Sequence, residues 1–174
     1  MRYGSPVLAL LFSVFIGACA TSQLSEAPVS GALIHRVKAI AMAPGGGLMA
    51  DAVAVELANG GFHVIDATAT SSLMVRLNLN EVEITRPEGL AKFRDQGVDA
   101  FLTVRAAALG DGRPESASAR MNSTHTGQVI AGVTWQNGWG CHAGSPCDRV
   151  MRKGLSEAAR EIADALARRV NAAP

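Results

Sequence analysis

Apolar positions along residues 36–171 recur with two periods, and each stretch can be assigned by which one it keeps. Val37 to Pro44, VKAIAMAP, is a short apolar run closed by Pro44 and three glycines, as a buried strand would be. In LMADAVAVELANGG, Leu48, Ala52 and Val55 share one helical face, and Gly60-Gly61 supplies a C-terminal stop. Phe62 to Ala67, FHVIDA, returns to a short strand pattern. Strand, helix and strand with short joints make a βαβ unit with a right-handed crossover and parallel strands.

The pattern is divided over Ser71 to Arg86, SSLMVRLNLNEVEITR. Leu73, Val75, Leu77 and Leu79 alternate as in a half-exposed strand, while Leu73 and Leu77 also share a helical face. Pro87 to Gly97 then reads as a helix, with Pro87 suited to the first turn and Leu90, Phe93 and Arg94 one turn apart. VDAFLTVRAAAL is a third strand, ended by a turn over Gly110 to Pro114. SASARMNST and QVIAGVTW, joined by His-Thr-Gly, form an antiparallel hairpin that faces Ala117, Ala119 and Met121 the same way as Val129, Ala131, Val133 and Trp135. Asn137-Gly138 breaks the second strand. Ser145-Pro146-Cys147-Asp148 has the cap, first-turn proline and early acid of a helix start. That helix should run to about Asn171 with Met151, Leu155, Ala158, Ile162, Leu166 and Val170 as one apolar stripe. The fold class expected is α/β, a single compact domain in the order β-α-β-α-β-β-α, with a mixed sheet, helices packed on it and a long C-terminal helix.

The chain opens differently. A lone Arg2 precedes an apolar run from Val7 to Ile16 and the small residues Gly17 and Ala18, the pattern of a signal peptide. The run is about half the ~20 residues a transmembrane helix needs. Ile16-Gly17-Ala18-Cys19 resembles the bacterial lipobox, an aliphatic residue and two small ones before a cysteine. The resemblance implies cleavage between Ala18 and Cys19, acylation of Cys19 with palmitate-type chains, and anchoring in the membrane, since more than one acyl chain holds a protein stably. Ala20, rather than Asp, follows Cys19, which in that pattern favours the outer membrane. Residues 1–18 are thus read as a lipoprotein signal peptide, 19–35 as a lipidated flexible tether rich in Ser, Thr and Pro, and 36–174 as a periplasmic α/β domain.

Composition narrows the function classes. The 16 basic and 15 acidic residues nearly cancel, and no basic stripe or stacking-aromatic motif argues for nucleic acid. Cys141 and Cys147 are the cysteines left once Cys19 carries lipid, and in an oxidising compartment a disulfide is the plain expectation. Their Cys-x5-Cys spacing departs from the Cys-x-x-Cys of thioredoxin-like exchange catalysts. Zinc would need Cys141, His142, Cys147 and a fourth ligand that the neighbourhood does not supply.

The order of elements behind a lipobox resembles the fold shared by the amino-terminal domain of TolB, the curli-secretion lipoprotein CsgG and the peptidoglycan-synthase activator LpoB. VKAIAMAP stands where those proteins have their opening strand, GVDAFLTVRA where they have a Gly-aliphatic-Asp-Ala strand entry, and STHTGQVI where they have a Thr-Gly hairpin turn. The resemblance implies helix over residues 71–80 and a non-catalytic periplasmic module, without cofactor, that binds envelope proteins or self-associates. A secretion channel of CsgG type is an alternative. Its membrane hairpins need strands of about 9–11 alternating residues, and the only comparable stretch is Leu73 to Ile84.

An enzyme reading rests on Gly45-Gly46-Gly47-Leu48-Met49-Ala50, which follows a strand, opens a helix and fits Gly-x-Gly-x-x-Ala. Asp66 ends the next strand about 20 residues on, where a ribose-binding acid would sit in a dinucleotide site. Free nicotinamide cofactors are not expected outside the cytoplasm, and the hairpin occupies the place of a second nucleotide-binding half. No nucleophile elbow or His-Glu-x-x-His accompanies the four histidines. For a binding module, the candidate surface is the Gly-rich loop with Trp139 and neighbouring Asn137, where a rigid aromatic could anchor a partner, while Trp135 faces inward.

Overall fold

In a computed structural model the structure describes residues 22–26, 36–108, 113–138 and 145–171. Strands β1 (Ser22–Glu26), β2 (Ala39–Met42), β3 (His63–Ile65), β4 (Ala100–Ala108), β5 (Pro114–Ser123) and β6 (Val129–Asn137) form one sheet. Their order is β1-β6-β5-β4-β2-β3. β2 runs parallel to β3 and β4, and the β4-β5-β6-β1 half is antiparallel. The helices are α1 (Gly47–Asn59), α2 (Ala67–Arg76), α3 (Pro87–Asp95), α4 (Pro146–Met151) and α5 (Leu155–Asn171). The expected α/β class, mixed sheet and long C-terminal helix are all present.

Two cores follow from the strand alternation. On one face Ile40, Met42, Leu102, Val104, Met121, Val133 and Trp135 pack against α1 and α5, whose Val53, Leu57, Ile162 and Leu166 are fully buried. On the other, Ala41, Ala43 and Phe101 are covered by Leu73 and Met74 of α2 and Leu90 and Phe93 of α3. The Phe93 and Phe101 rings meet edge to face at 5.6 Å. Gly89 lets α3 pack against the 3-10 turn at Glu83–Thr85, because a Cβ there would lie 2.1 Å from the Glu83 carbonyl oxygen.

Four expectations need correction. Helix α1 buries Met49, Ala50, Val53 and Leu57, leaving Leu48 76% and Val55 59% exposed. It is apolar nearly all round, so its own period could not select the face that meets the sheet. Residues 22–26, inside the stretch read as tether, are strand β1, paired with β6 from Ser22 opposite Asn137 to Glu26 opposite Val133. Leu24 packs on the core there, and a single apolar residue in a polar pentapeptide carries no local signal.

The last helix is broken into α4 and α5. Gly154 starts α5 afresh, its carbonyl accepting from Ala158 N–H and its own N–H donating to the Glu157 carboxylate, as in a capping box. Asn137, expected on a partner surface, is 7% exposed and fully engaged inside the protein, as described below. The divided stretch Ser71 to Arg86 resolves as helix through Arg76, then a turn and one 3-10 turn at Glu83–Thr85. Asn80 fixes that turn, its side chain accepting from Val82 and Glu83 N–H while Glu83 reaches back to Asn80 N–H. Leu73 to Ile84 therefore supplies no membrane hairpin.

Candidate functional site

The three passages that carry the family resemblance meet at one end of the sheet. Asp99, at the entry to β4, accepts hydrogen bonds from the Lys38 and Ala39 N–H groups at 2.8 and 2.9 Å, so its carboxylate fixes where β2 begins. Thr124, in the β5-β6 turn, donates to the carbonyls of Val98 and Asp99 at 2.6 and 2.9 Å. Ser123 Oγ accepts from the His125 and Thr126 N–H groups, and Gly127 takes φ +73°, a conformation that favours glycine. His125 Nε2 stands 3.7 Å from Asp99 Oδ1. An Asp-His pair invites a catalytic reading, but Asp99 already holds two backbone amides and the neighbouring Ser123 hydroxyl organises the turn. This cluster is a fastening between β2, β4 and the hairpin.

The glycine loop has structural tasks of its own. Gly45 and Gly47 adopt φ +80° and +62°, and a Cβ on Gly46 would lie 2.4 Å from the Ala50 Cβ and 3.0 Å from the Val104 carbonyl oxygen. The loop is glycine-rich because α1 must turn back directly over β4. Asp66 Oδ1 accepts from Ala69 N–H at 2.7 Å, capping α2. Both halves of the dinucleotide pattern are thus accounted for by turn geometry and a helix cap.

At the opposite end of the sheet a polar cluster joins β1 to β6 and α5. Trp135, 1% exposed, lies in the core as expected and donates from Nε1 to Glu161 Oε2 at 2.7 Å. Glu161 also accepts from Ser22 Oγ at 2.8 Å and from Lys153 Nζ, and Lys153 Nζ donates to Ser22 Oγ at 2.9 Å. Burial alone would raise the Glu161 pKa, but hydrogen bonds from Lys153, Trp135 and Ser22, with the Lys153 charge, bring it below the usual carboxylate value. Asn137 completes the cluster: it donates to the Pro114 and Lys153 carbonyls at 2.8 and 2.9 Å and accepts from Lys153 N–H at 3.0 Å. Sequence reasoning missed Glu161 and Lys153. Each sits beside apolar helix positions without any local sign that Ser22 and Trp135 converge there.

One face of the β4-β5-β6-β1 half lies beyond the reach of α2 and α3. A shallow groove of about 640 Å³ runs over it, with Gln23, Arg105, Ser118, Thr134 and Gln136 along its walls. A second groove continues past Arg120. Among the described residues neither groove is lined by a carboxylate.

Ala18, Cys19, Trp139 and Cys141 lie outside the described residues, and Cys147 is an exposed residue in the first turn of α4. Among the described residues no cluster of His, Cys, Asp and Glu could hold a metal ion. No helix among them is long and apolar enough to cross a membrane.

No family model matches the chain, and no curated protein matches it in sequence. Solved structures do. The PelC dodecamer from Paraburkholderia phytofirmans is 18% identical, with a TM-score of 0.46 over 83% of this chain and 95% of that one. TolB from Acinetobacter baumannii is 13% identical, with a TM-score of 0.48 over 87% of this chain and 31% of TolB. The LpoB C-terminal domain from Salmonella enterica is 16% identical, with a TM-score of 0.42 over 60% of this chain and 85% of that domain. TolB and LpoB, two of the proteins that the sequence motifs resemble, are among the solved structures to which the chain is similar.

Proposed function

We propose that the protein is a lipoprotein of the outer membrane, anchored through acyl chains on Cys19 and facing the periplasm. Its α/β domain acts without catalysis, by binding other envelope proteins or further copies of itself. The observation that carries this reading is the apolar run Val7 to Ile16 ending in Ile16-Gly17-Ala18-Cys19. Ala20 favours the outer over the inner membrane, and Cys141 with Cys147 would form the disulfide that such a compartment permits. The sheet face with Arg105 and Arg120 offers a surface for a partner, and Trp139 follows the last residue of β6 by two positions in the sequence. The roles found for the glycine loop and Asp66 weigh against the dinucleotide alternative, and the helix and turns over Leu73 to Ile84 weigh against the channel. Cells grown with labelled palmitate should mark the wild-type chain and leave Cys19→Ala unlabelled. Label on both proteins would sink the proposal.

A further inference from the structure

Strand β1 begins three residues after Cys19, and it is fastened along its whole length. It pairs antiparallel with β6 at every residue, and Leu24 packs on the core. Ser22 is held by Glu161 and Lys153 at one end, and Glu26 by Arg168 and Arg169 at the other, at 3.3 and 2.8 Å. A fully extended chain spans about 3.3–3.6 Å per residue, so Ser22 lies at most about 11 Å from Cys19.

We infer that the domain is docked against the lipid headgroups rather than hung from a tether, with the Ser22 end of the sheet as the membrane-facing surface. The inference rests on the acylation of Cys19 proposed above. What meets the headgroups is then the end of the sheet where Ser22, Pro114 and Asn137 lie together, with the joint between α4 and α5 at Lys153. Strand β6 runs away from that surface for eight residue steps, so at about 3.3 Å per step the hairpin at Thr126 stands on the order of 25–30 Å further out. The Asp99 and Thr124 fastening faces the periplasm, and the uncovered sheet face stands beside the membrane, open to a partner in the same layer.

The test uses full-length protein purified with its acyl groups, its intact mass measured, in phosphatidylethanolamine and phosphatidylglycerol vesicles that carry a nitroxide on the lipid headgroup. A dye is attached to a non-natural residue replacing Glu115 in one protein and Thr126 in another; both positions are exposed. Quenching should be several-fold stronger at position 115 than at 126. Inserting twenty Gly/Ser residues between Thr21 and Ser22 gives a flexible chain with a root-mean-square length of roughly 25 Å, and should bring the two positions to the same weak quenching. Equal quenching in acylated protein without the insert overturns the docking, as does a preference for 115 that survives the insert. A mass without acyl groups overturns the Cys19 reading itself, and the docking with it.

Discussion

Glu161 shows how one side chain can tie together parts of the chain that are far apart in sequence. It takes hydrogen bonds from the indole of Trp135, the hydroxyl of Ser22 and the ammonium of Lys153, and so joins β6, β1 and the joint between α4 and α5 to one carboxylate. Its folded pKa lies below the unfolded value, so the stability it contributes is complete above the unfolded pKa of about 4.3 and is lost as pH falls through the folded value. Glu161→Gln should therefore unfold at a lower temperature than wild type at pH 7, and the two melting curves should converge on acidification below about pH 4.3. A gap unchanged down to pH 2 would assign its effect to packing alone. Glu161→Ala leaves the Trp135 N–H without this acceptor and should cost about 1–3 kcal/mol.

At the scale of elements, Asp66 separates the enzyme reading from the structural one. As the cap of α2 it should contribute about 1 kcal/mol, so Asp66→Ala should lower the thermal midpoint and Asp66→Ser should recover most of it. Titration with NADH should leave the cofactor's fluorescence unchanged in all three proteins; saturable enhancement lost in both variants would revive the dinucleotide site. Elements were legible where a local period or a cap fixed them. Pro87 and the Leu90 and Phe93 spacing marked α3, and the alternation through Met121 and Trp135 marked the hairpin and its buried side. The face of α1 was not legible, because Leu48 and Val55 are as apolar as Met49 and Val53, and only the sheet decides between them. Gly154 with Glu157 three residues on was a legible helix start, hidden by an apolar stripe that continues across the break from Met151 to Leu155. Strand β1 exists only through pairing with residues more than a hundred positions away, and no window along the sequence contains that information.

For the whole molecule the arrangement is asymmetric. Helices cover one face of the sheet with α1 and α5, while α2 and α3 shield only the β2 side of the other. The rest is a polar shelf whose grooves hold Arg105 and Arg120 and, among the described residues, no acid. Reversing both charges, as Arg105→Glu with Arg120→Glu, touches no core contact and should change stability by no more than about 0.5 kcal/mol per site. Crosslinking in intact cells from a photoreactive residue at Gln136, on the same shelf, should lose its protein adducts in the double variant. An unchanged adduct pattern would move the binding surface off the sheet, with Trp139→Ala the next variant to compare. The candidate site was only partly legible for the same reason as β1: Arg105 and Arg120 lie on adjacent strands, and their shared face is set by sheet register.

Because β1 joins the sheet across so long a stretch of chain, it also has a place in time. Its partner β6 must first be built on β5, a local hairpin, whereas closing the loop from Ser22 to Asn137 carries a larger entropic cost and should come late. In a chain already acylated at Cys19, the last strand to be added would be the one that follows the anchor directly along the chain. Completion of folding and arrival at the membrane surface would then be a single event, and a half-folded domain would stay out on a longer line.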